Sequence, residues 1–368
     1  MAADFRYRVF VTEARPGQEA LRSALEAEGC SVRFGRPFED PAGPCSEDEL
    51  RALVADADAV LMMGSRDRIT RRVMEGGPKL RTIAKTGIGV EPIDVQAATD
   101  LGILVSNTPI PENYLSVAEG TVARILALAK NLKLADRNAR LGRWRSVTNT
   151  FLHGKTVGIV GLGRIGLRVA ELLRPFQARL VAYSPSVSPE RGRRFGVELV
   201  DLDALLRESD FVTLHAVVTP QTRGMIGEAQ LRRMKPTAYL VNTARGVLVD
   251  ENALAQALRE GWIAGAALDV FESEPLRPDN PLLADGLLEQ TVLSPHSAAA
   301  TPELRQKMPL VQMENCLRAL RGETPEYVVN PEVLSRWRAR WLAGSKPAGS
   351  KPGTPAAAEP IASADRMP

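Results

Sequence analysis

Three polar residues in the second half of the chain follow short apolar runs: Arg245 in YLVNTARG, Glu274 in GAALDVFESEP and His296 in TVLSPH. Each run reads as a buried strand, and each polar residue falls at or just beyond its exit, with Asp269 near the end of the middle run. Ligands of open α/β sheets bind outside the carboxyl ends of the strands, so the three side chains are expected to share one cleft. Their types suit one reaction. Reducing a 2-keto acid needs a hydride on carbon and a proton on oxygen, and histidine is the usual proton donor near neutral pH. A neighbouring glutamate would favour its protonated form. An arginine can bind the substrate's carboxylate and polarise its carbonyl. In the oxidative direction the same histidine acts as base. His296 is one of only three histidines in 368 residues; without the other two residues it would read as a cap on a strand end.

A hydride needs a carrier. The stretch KTVGIVGLGRIGLRVAELL holds Gly161, Gly163 and Gly166 in a GxGxxG pattern. A run of Val and Ile precedes it and an amphipathic helix comes after it, which is the context of a dinucleotide-binding turn. The first glycine permits the tight turn, the second admits a pyrophosphate to the backbone, and the third lets helix and strand pack closely. The helix N-terminus then offers unpaired N–H groups to the phosphates. At the end of the next strand, where an NAD enzyme carries an acid for the ribose, AYSPSVSPERGRR places Ser184. Serine does not repel a 2′-phosphate, and Arg191, Arg193 and Arg194 lie just beyond it. The cofactor is therefore read as NAD or NADP with a lean to NADP, although the same arginines also suit a solvated helix.

The elements that must position these residues alternate between strand-like and helical segments. Strands are expected at 8–11, 31–34, 59–63, 81–85 and 103–107, and Ser46 with Glu49 gives a capping-box start to a helix through Ala55. A long helix from about Ser116, with Val117, Val122, Ile125, Leu128 and Leu132 at helical spacing, reads as a linker and a dimer contact. A second series of strands is expected at 156–161, 179–183, 211–215, 238–244, 265–270 and 291–296. Such βαβ alternation predicts parallel, doubly wound sheets, hence an α/β protein. A helix after Thr301 would return to the first domain, and the Pro/Ser/Ala/Gly-rich stretch 344–368 reads as disordered.

Bulk composition sets the remaining bounds. With 44% hydrophobic and 25% charged residues the chain is of globular type, and its length favours two domains. A net charge of +3, spread along the chain, gives no basic stripe for nucleic acid. Cys30, Cys45 and Cys316 are odd in number and far apart, without a CxxC, so neither a metal site nor a disulfide framework is indicated. A reducing cytoplasm fits this usage. The N-terminal stretch has no apolar signal core, and no run reaches the roughly 20 residues needed to span a bilayer.

Taken in order, GIGVEPID, NTPIPENYLSVAE, GIVGLGRIG, VNTARGVLVDENAL, GAALDVFESEP and SPH resemble the D-isomer-specific 2-hydroxyacid dehydrogenase family over roughly residues 5 to 330. That family includes phosphoglycerate dehydrogenases, glyoxylate/hydroxypyruvate reductases, formate dehydrogenases and the C-terminal-binding corepressors. The resemblance implies two open parallel-sheet domains, with a Rossmann cofactor domain (108–297) inserted in a flavodoxin-like substrate domain (1–107 and 298–343). It maps catalysis to Arg245, Glu274 and His296. Substrate binding maps to Arg245, Ser65 and the loop Gly87, Ile88 and Gly89. Cofactor contacts map to Gly161, Gly163, Arg164, Ile165, Gly166, Ser184, His215, Thr222, Thr243 and Asp269. His215 is expected to line the cofactor or to be structural, and His153, before the first strand of the cofactor unit, to lie on the surface. The implied partner is a small 2-keto or 2-hydroxy acid; the homodimer is expected from the long helical stretch near Ser116.

Several positions depart from the family pattern. Val217 replaces the proline of the usual HxPL, and alanines 298–300 stand where many members have glycine. Val90-Glu91-Pro92 replaces the commoner Val-Asp-Asn, and Gly64 stands where phosphoglycerate dehydrogenases often carry arginine. Arg66 and Arg68 nearby would serve an anionic tail or lie as solvated charges. Alternative readings of the same fold remain an NAD(H)-binding corepressor-like sensor and a phosphite- or formate-type dehydrogenase. Glu274 speaks against the formate reading, since that subfamily pairs its histidine with glutamine.

Overall fold

The computed structural model describes residues 5–145 and 147–342, so the reading of 344–368 lies outside the described residues. The chain forms two compact units. One runs through Asn107 and resumes at Gln312; the other is Thr108–Val311.

The first unit holds β1 (Tyr7–Val11), β2 (Cys30–Phe34), β3 (Ala59–Met62), β4 (Thr82–Lys85) and β5 (Leu104–Ser106). They form one parallel sheet in the order β2-β1-β3-β4-β5. Alternate residues pack into separate cores on the two faces: Phe10, Val60, Met62 and Ile83 on one, Val9, Val11, Leu61 and Ala84 on the other. Burial on both faces explains why β3 reads as a continuous apolar run. Ser46 caps the helix Glu47–Val54, and Glu49 returns the bond, as the capping box predicts.

The second unit holds β6 (Thr156–Val160), β7 (Arg179–Tyr183), β8 (Val197–Leu199), β9 (Phe211–Leu214), β10 (Tyr239–Asn242), β11 (Gly265–Leu268) and β12 (Thr291–Leu293). Its parallel sheet has the order β12-β11-β10-β9-β6-β7-β8. The edge strand β8 has no counterpart in the sequence reading; three residues are too few to show a period.

Two further differences have local causes. The long helix expected from Ser116 is two, Pro111–Ala129 and Leu132–Arg140. Asn131 breaks it at φ 45°, a left-handed conformation that asparagine tolerates better than most residues. Lys133 then anchors the second helix by donating to the carbonyls of Leu288 and Thr291. The return to the first unit falls at Gln312, inside the helix Pro302–Leu320, and not at 298. Residues 297–301 are still bonded within the second unit: Ser297 and Ala298 N–H groups donate to Asp269, and the Thr301 hydroxyl meets Ser116. The Gln312 amide, by contrast, donates to the carbonyls of Met62 and Ala84 in the first unit.

Candidate active site

The second sheet reverses its winding at β6, which has β9 on one side and β7 on the other, and the glycine turn sits at that switch point. Gly161 comes directly after β6 at φ +98°, and a Cβ there would stand 2.7 Å from the His215 carbonyl oxygen at the exit of β9. A Cβ on Gly166 would stand 2.1 Å from the Gly161 carbonyl oxygen. These two glycines therefore serve internal packing. Gly163 is different: a Cβ there meets nothing within 4 Å. It is the N-terminal flank of the helix Arg164–Leu173, and no side chain at 163 takes up the first N–H groups of that helix. This is the cradle a pyrophosphate would fill.

The other expected cofactor residues fall in two groups. Arg164 is exposed and Ile165 half-buried on the first turn of the helix, and Ser184 lies just past β7. The Ser184 hydroxyl accepts the Leu162 N–H at 3.2 Å, which ties the two strand exits together without a charge. His215 lies beside the cradle with Nε2 3.0 Å from the Thr213 hydroxyl, and its Nδ1 has no protein partner among the described residues. Burial pushes its pKa down to about 3, so it is neutral at physiological pH and is no proton donor there. In the second group the hydroxyls have local bonds. Thr222 donates to the Val217 carbonyl and accepts the Thr219 N–H, each at 2.7 Å, and the buried Thr243 hydroxyl lies 2.8 Å from that of Thr121. His153 is exposed and precedes β6, at the end of the sheet away from these exits.

Arg245, Glu274 and His296 lie past the ends of β10, β11 and β12, three adjacent parallel strands. Gly246 brings the first two loops together, since a Cβ there would stand 1.9 Å from the Phe271 carbonyl carbon. The Asn242 side chain braces the turn by donating to the Arg245 carbonyl at 2.8 Å. Glu274 accepts the Phe271 N–H on Oε1 at 3.0 Å, and its Oε2 lies 2.7 Å from His296 Nδ1. Burial alone would raise the Glu274 carboxyl. The hydrogen bond and charge of His296, then the Phe271 N–H and the charge of Arg245, outweigh it and hold the group below the usual glutamate range. With the carboxylate ionised, Nδ1 carries the proton in that bond, and Nε2 is left for chemistry.

His296 itself has φ 49°, in the left-handed region that few residues other than glycine adopt. Its N–H donates to the Asp269 carbonyl at 2.8 Å. Asp269 is almost fully buried and anchors the whole turn. Its Oδ1 accepts the Ser297 N–H at 2.9 Å and the Ser294 hydroxyl at 2.7 Å, its Oδ2 accepts the Ala298 N–H at 2.8 Å, and Arg124 pairs with it. These bonds make Asp269 a holder of the His296 turn. Sequence reasoning missed Arg124, which arrives from the helix Pro111–Ala129, and Glu251, whose Oε1 accepts the Glu272 N–H at 2.7 Å. The glycine after Arg245 was the available signal for the close loop packing.

In the first unit, Gly87, Ile88 and Gly89 lie just beyond β4. Gly87 has φ +80° with open space where a side chain would project, and the Asn107 amide holds the Ile88 carbonyl at 2.8 Å. Ser65 is exposed in the loop after β3. No group of three His, Cys, Asp or Glu residues able to hold a metal occurs among the described residues, and no helix among them is long and apolar enough to cross a membrane.

Comparison with known proteins identifies the family. Residues 122–298 match the family model of the D-isomer specific 2-hydroxyacid dehydrogenase, NAD binding domain. A glyoxylate reductase of Korarchaeum cryptofilum is 42% identical over 337 residues, 89% of this chain and 97% of its own. A D-3-phosphoglycerate dehydrogenase of Methanocaldococcus jannaschii is 43% identical over 288 residues, 77% of this chain but 54% of its own. The solved structure of an acyclic imino acid reductase in complex with NADPH and D-Arg superposes with a TM-score of 0.75 at 28% identity, covering 88% of this chain and 99% of that one. The chain belongs to the D-isomer-specific 2-hydroxyacid dehydrogenases, oxidoreductases that use NAD or NADP to interconvert a 2-keto acid and a D-2-hydroxy acid.

Proposed function

We propose that the enzyme works mainly as a 2-keto acid reductase, with His296 as the proton donor. The observation that carries this is the 2.7 Å contact between His296 Nδ1 and Glu274 Oε2. It fixes the imidazole by one nitrogen and leaves the other to reach a substrate oxygen. The bound nicotinamide cofactor supplies the hydride. Glu274 orients the ring and stabilises its protonated form, and Arg245 binds the substrate's carboxylate and polarises its carbonyl. In the first unit, the amides of Gly87, Ile88 and Gly89, with Ser65, bind the carboxylate. Run backwards, His296 takes the hydroxyl proton from a D-2-hydroxy acid.

The adenosine end of the cofactor is read by Arg164, Ile165 and the region of Ser184. The absence of charge on Ser184 supports NADP, and His215, Thr222 and Thr243 complete the lining. We assign a homodimer, supported by the stretch 141–151, where Leu141, Trp144 and Phe151 are 53%, 96% and 74% exposed and a second copy would cover them. Three free, buried cysteines support a cytoplasmic setting.

The test is cofactor oxidation, monitored by absorbance with NADPH and NADH separately, against glyoxylate, hydroxypyruvate, phenylpyruvate, 2-ketoisocaproate and 3-phosphohydroxypyruvate. Turnover of a keto acid is the expected result. No turnover with any of them, while the cofactor still binds, would overturn the reading.

A further inference from the structure

The helix Pro111–Ala129 buries a row of residues one turn apart, Val117, Thr121 and Leu128. Arg124 stands in the same row, and its side chain is only 11% exposed. An amphipathic helix ordinarily keeps such a position for an apolar residue. The Arg124 guanidinium donates to the Asp269 carboxylate, to the Ser294 hydroxyl and, through Nη1, to the Gly120 carbonyl at 2.9 Å. Its Nε is buried and has no partner among the described residues. Gly120 admits this arrangement: a Cβ there would stand 3.0 Å from the Ala298 carbonyl oxygen and 3.1 Å from Arg124 Nη1. Glycine weakens the interior of a helix, so the helix is locally less stable where it meets the turn that follows His296.

The Asp269 side chain is 2% exposed, and three neutral donors already serve its oxygens: the Ser294 hydroxyl and the Ser297 and Ala298 N–H groups. What Arg124 adds to them is a charge. It cancels that of the carboxylate inside the protein, where a charge is felt over several ångströms with little screening. The hydride has to reach the carbon whose oxygen His296 protonates, so the nicotinamide ring belongs beside the turn that Asp269 holds. That ring is a cation in the oxidised cofactor and neutral in the reduced one. The rest of the cofactor has the same charge in both forms.

We propose that Arg124, by cancelling the charge of Asp269 beside the nicotinamide ring, shifts the protein's preference from oxidised to reduced cofactor. A lone carboxylate there would attract the oxidised ring and not the reduced one. With the arginine in place that difference is removed, and a ligand shifts an equilibrium only by its difference in affinity. The oxidised cofactor is then held less tightly and leaves more readily after each reduction. Arg124 acts through Asp269 and touches neither cofactor nor substrate. The charges of Arg245, Glu274 and His296 are common to wild type and Arg124 variants and cancel between them. The assignment rests on the reading of His296 as the proton donor, since that reading places the ring.

The test is calorimetric titration of the full chain with oxidised and with reduced cofactor, NADP or NAD, at about pH 8, where carboxylates are ionised. Arg124→Leu keeps the helical row apolar and leaves Asp269 unopposed. It should lower the ratio of the dissociation constants, oxidised over reduced, on the order of tenfold. Arg124→Lys keeps the charge and should hold the ratio within about twofold of wild type. The double variant Arg124→Leu with Asp269→Asn removes both charges and should bring the ratio back to the wild-type value. Where the leucine variant does not fold, Arg124→Gln, whose amide still donates to Asp269, makes the same prediction. A purely structural role would weaken both forms of the cofactor together. An unmoved ratio in the folded uncharged variant, or a double variant that keeps the shifted ratio, overturns the assignment and leaves the reductase reading intact. A wild type that reduces no keto acid overturns that reading and this assignment with it.

Discussion

His296 Nδ1 and Glu274 Oε2 meet at 2.7 Å, from the exits of two neighbouring parallel strands. The contact joins a turn held by Asp269 to a loop held by Phe271 and Glu251. Each side is fixed before substrate arrives. The pair therefore needs no rearrangement to present the other ring nitrogen, which is what preorganised acid–base catalysis requires.

Glu274→Gln keeps the shape of the pair and removes its charge. In the proposed reduction the imidazole gives up a proton, and the neutral amide no longer offers the ring an anionic partner. The kcat of reduction should fall on the order of tenfold, with cofactor affinity retained. Wild-type kcat in this variant contradicts the pairing.

The same carboxylate makes a statement about stability. Its folded-state pKa lies below its ordinary value, so its contribution is present above the ordinary glutamate range and is lost as pH falls through the folded value. The stability difference between wild type and Glu274→Gln should be full at neutral pH and close as the medium becomes acidic. Chemical denaturation at a series of pH values reads this, and a difference that widens on acidification would count against the account.

Asp269→Asn leaves His296 in the sequence but strips its turn of an anchor. An asparagine can accept on one side only, so either the Ser297 or the Ala298 N–H loses its partner, and Arg124 loses its counter-ion. A stability loss of about 3 kcal/mol is expected, as for other broken buried pairs. kcat should fall with it, because the left-handed turn at His296 is no longer held. A variant of wild-type stability and kcat would show that Asp269 does not position this turn.

The glycine cradle separates fold from function. Gly163 has φ −75° and ψ −167°, which alanine adopts freely, and open space beside it. Gly163→Ala should shift the melting temperature by no more than about 2 °C, the scale of a benign surface change. It should weaken cofactor binding by about tenfold, because its methyl occupies the approach to the helix N-terminus. Gly166→Ala places a Cβ 2.1 Å from the Gly161 carbonyl oxygen and should cost about 1–3 kcal/mol of stability. Thermal melts with and without NADPH or NADH distinguish the two, and equal effects at both positions would contradict the reading.

Much of the fold is legible in the sequence because the strands are buried on both faces. Their apolar runs mark them, and the polar residues after each run mark a strand exit; Arg245, Glu274 and His296 are found that way. The cradle is legible because its glycines have separate steric tasks, and the helix at Glu47 because Ser46 and Glu49 form a local motif. The features that escape depend on contacts distant in sequence. The anchoring of the His296 turn needs Asp269 and Arg124, 145 residues apart, and no local pattern announces the pair. The break at Asn131 comes from one backbone angle and from Lys133 reaching across to Leu288. The late return at Gln312 is decided by the partners of residues 297–301 and not by composition. Thr222 and Thr243 are placed at the cofactor by resemblance alone, and their hydroxyls have local partners.

The central claim is that His296 supplies the proton. Turnover of His296→Ala with the best keto acid, measured beside its affinity for NADPH or NADH, tests it most directly. The account predicts a fall in kcat on the order of a hundredfold to ten-thousandfold, the range of a lost general acid, with cofactor affinity retained. Wild-type turnover in that variant would remove His296 from the mechanism.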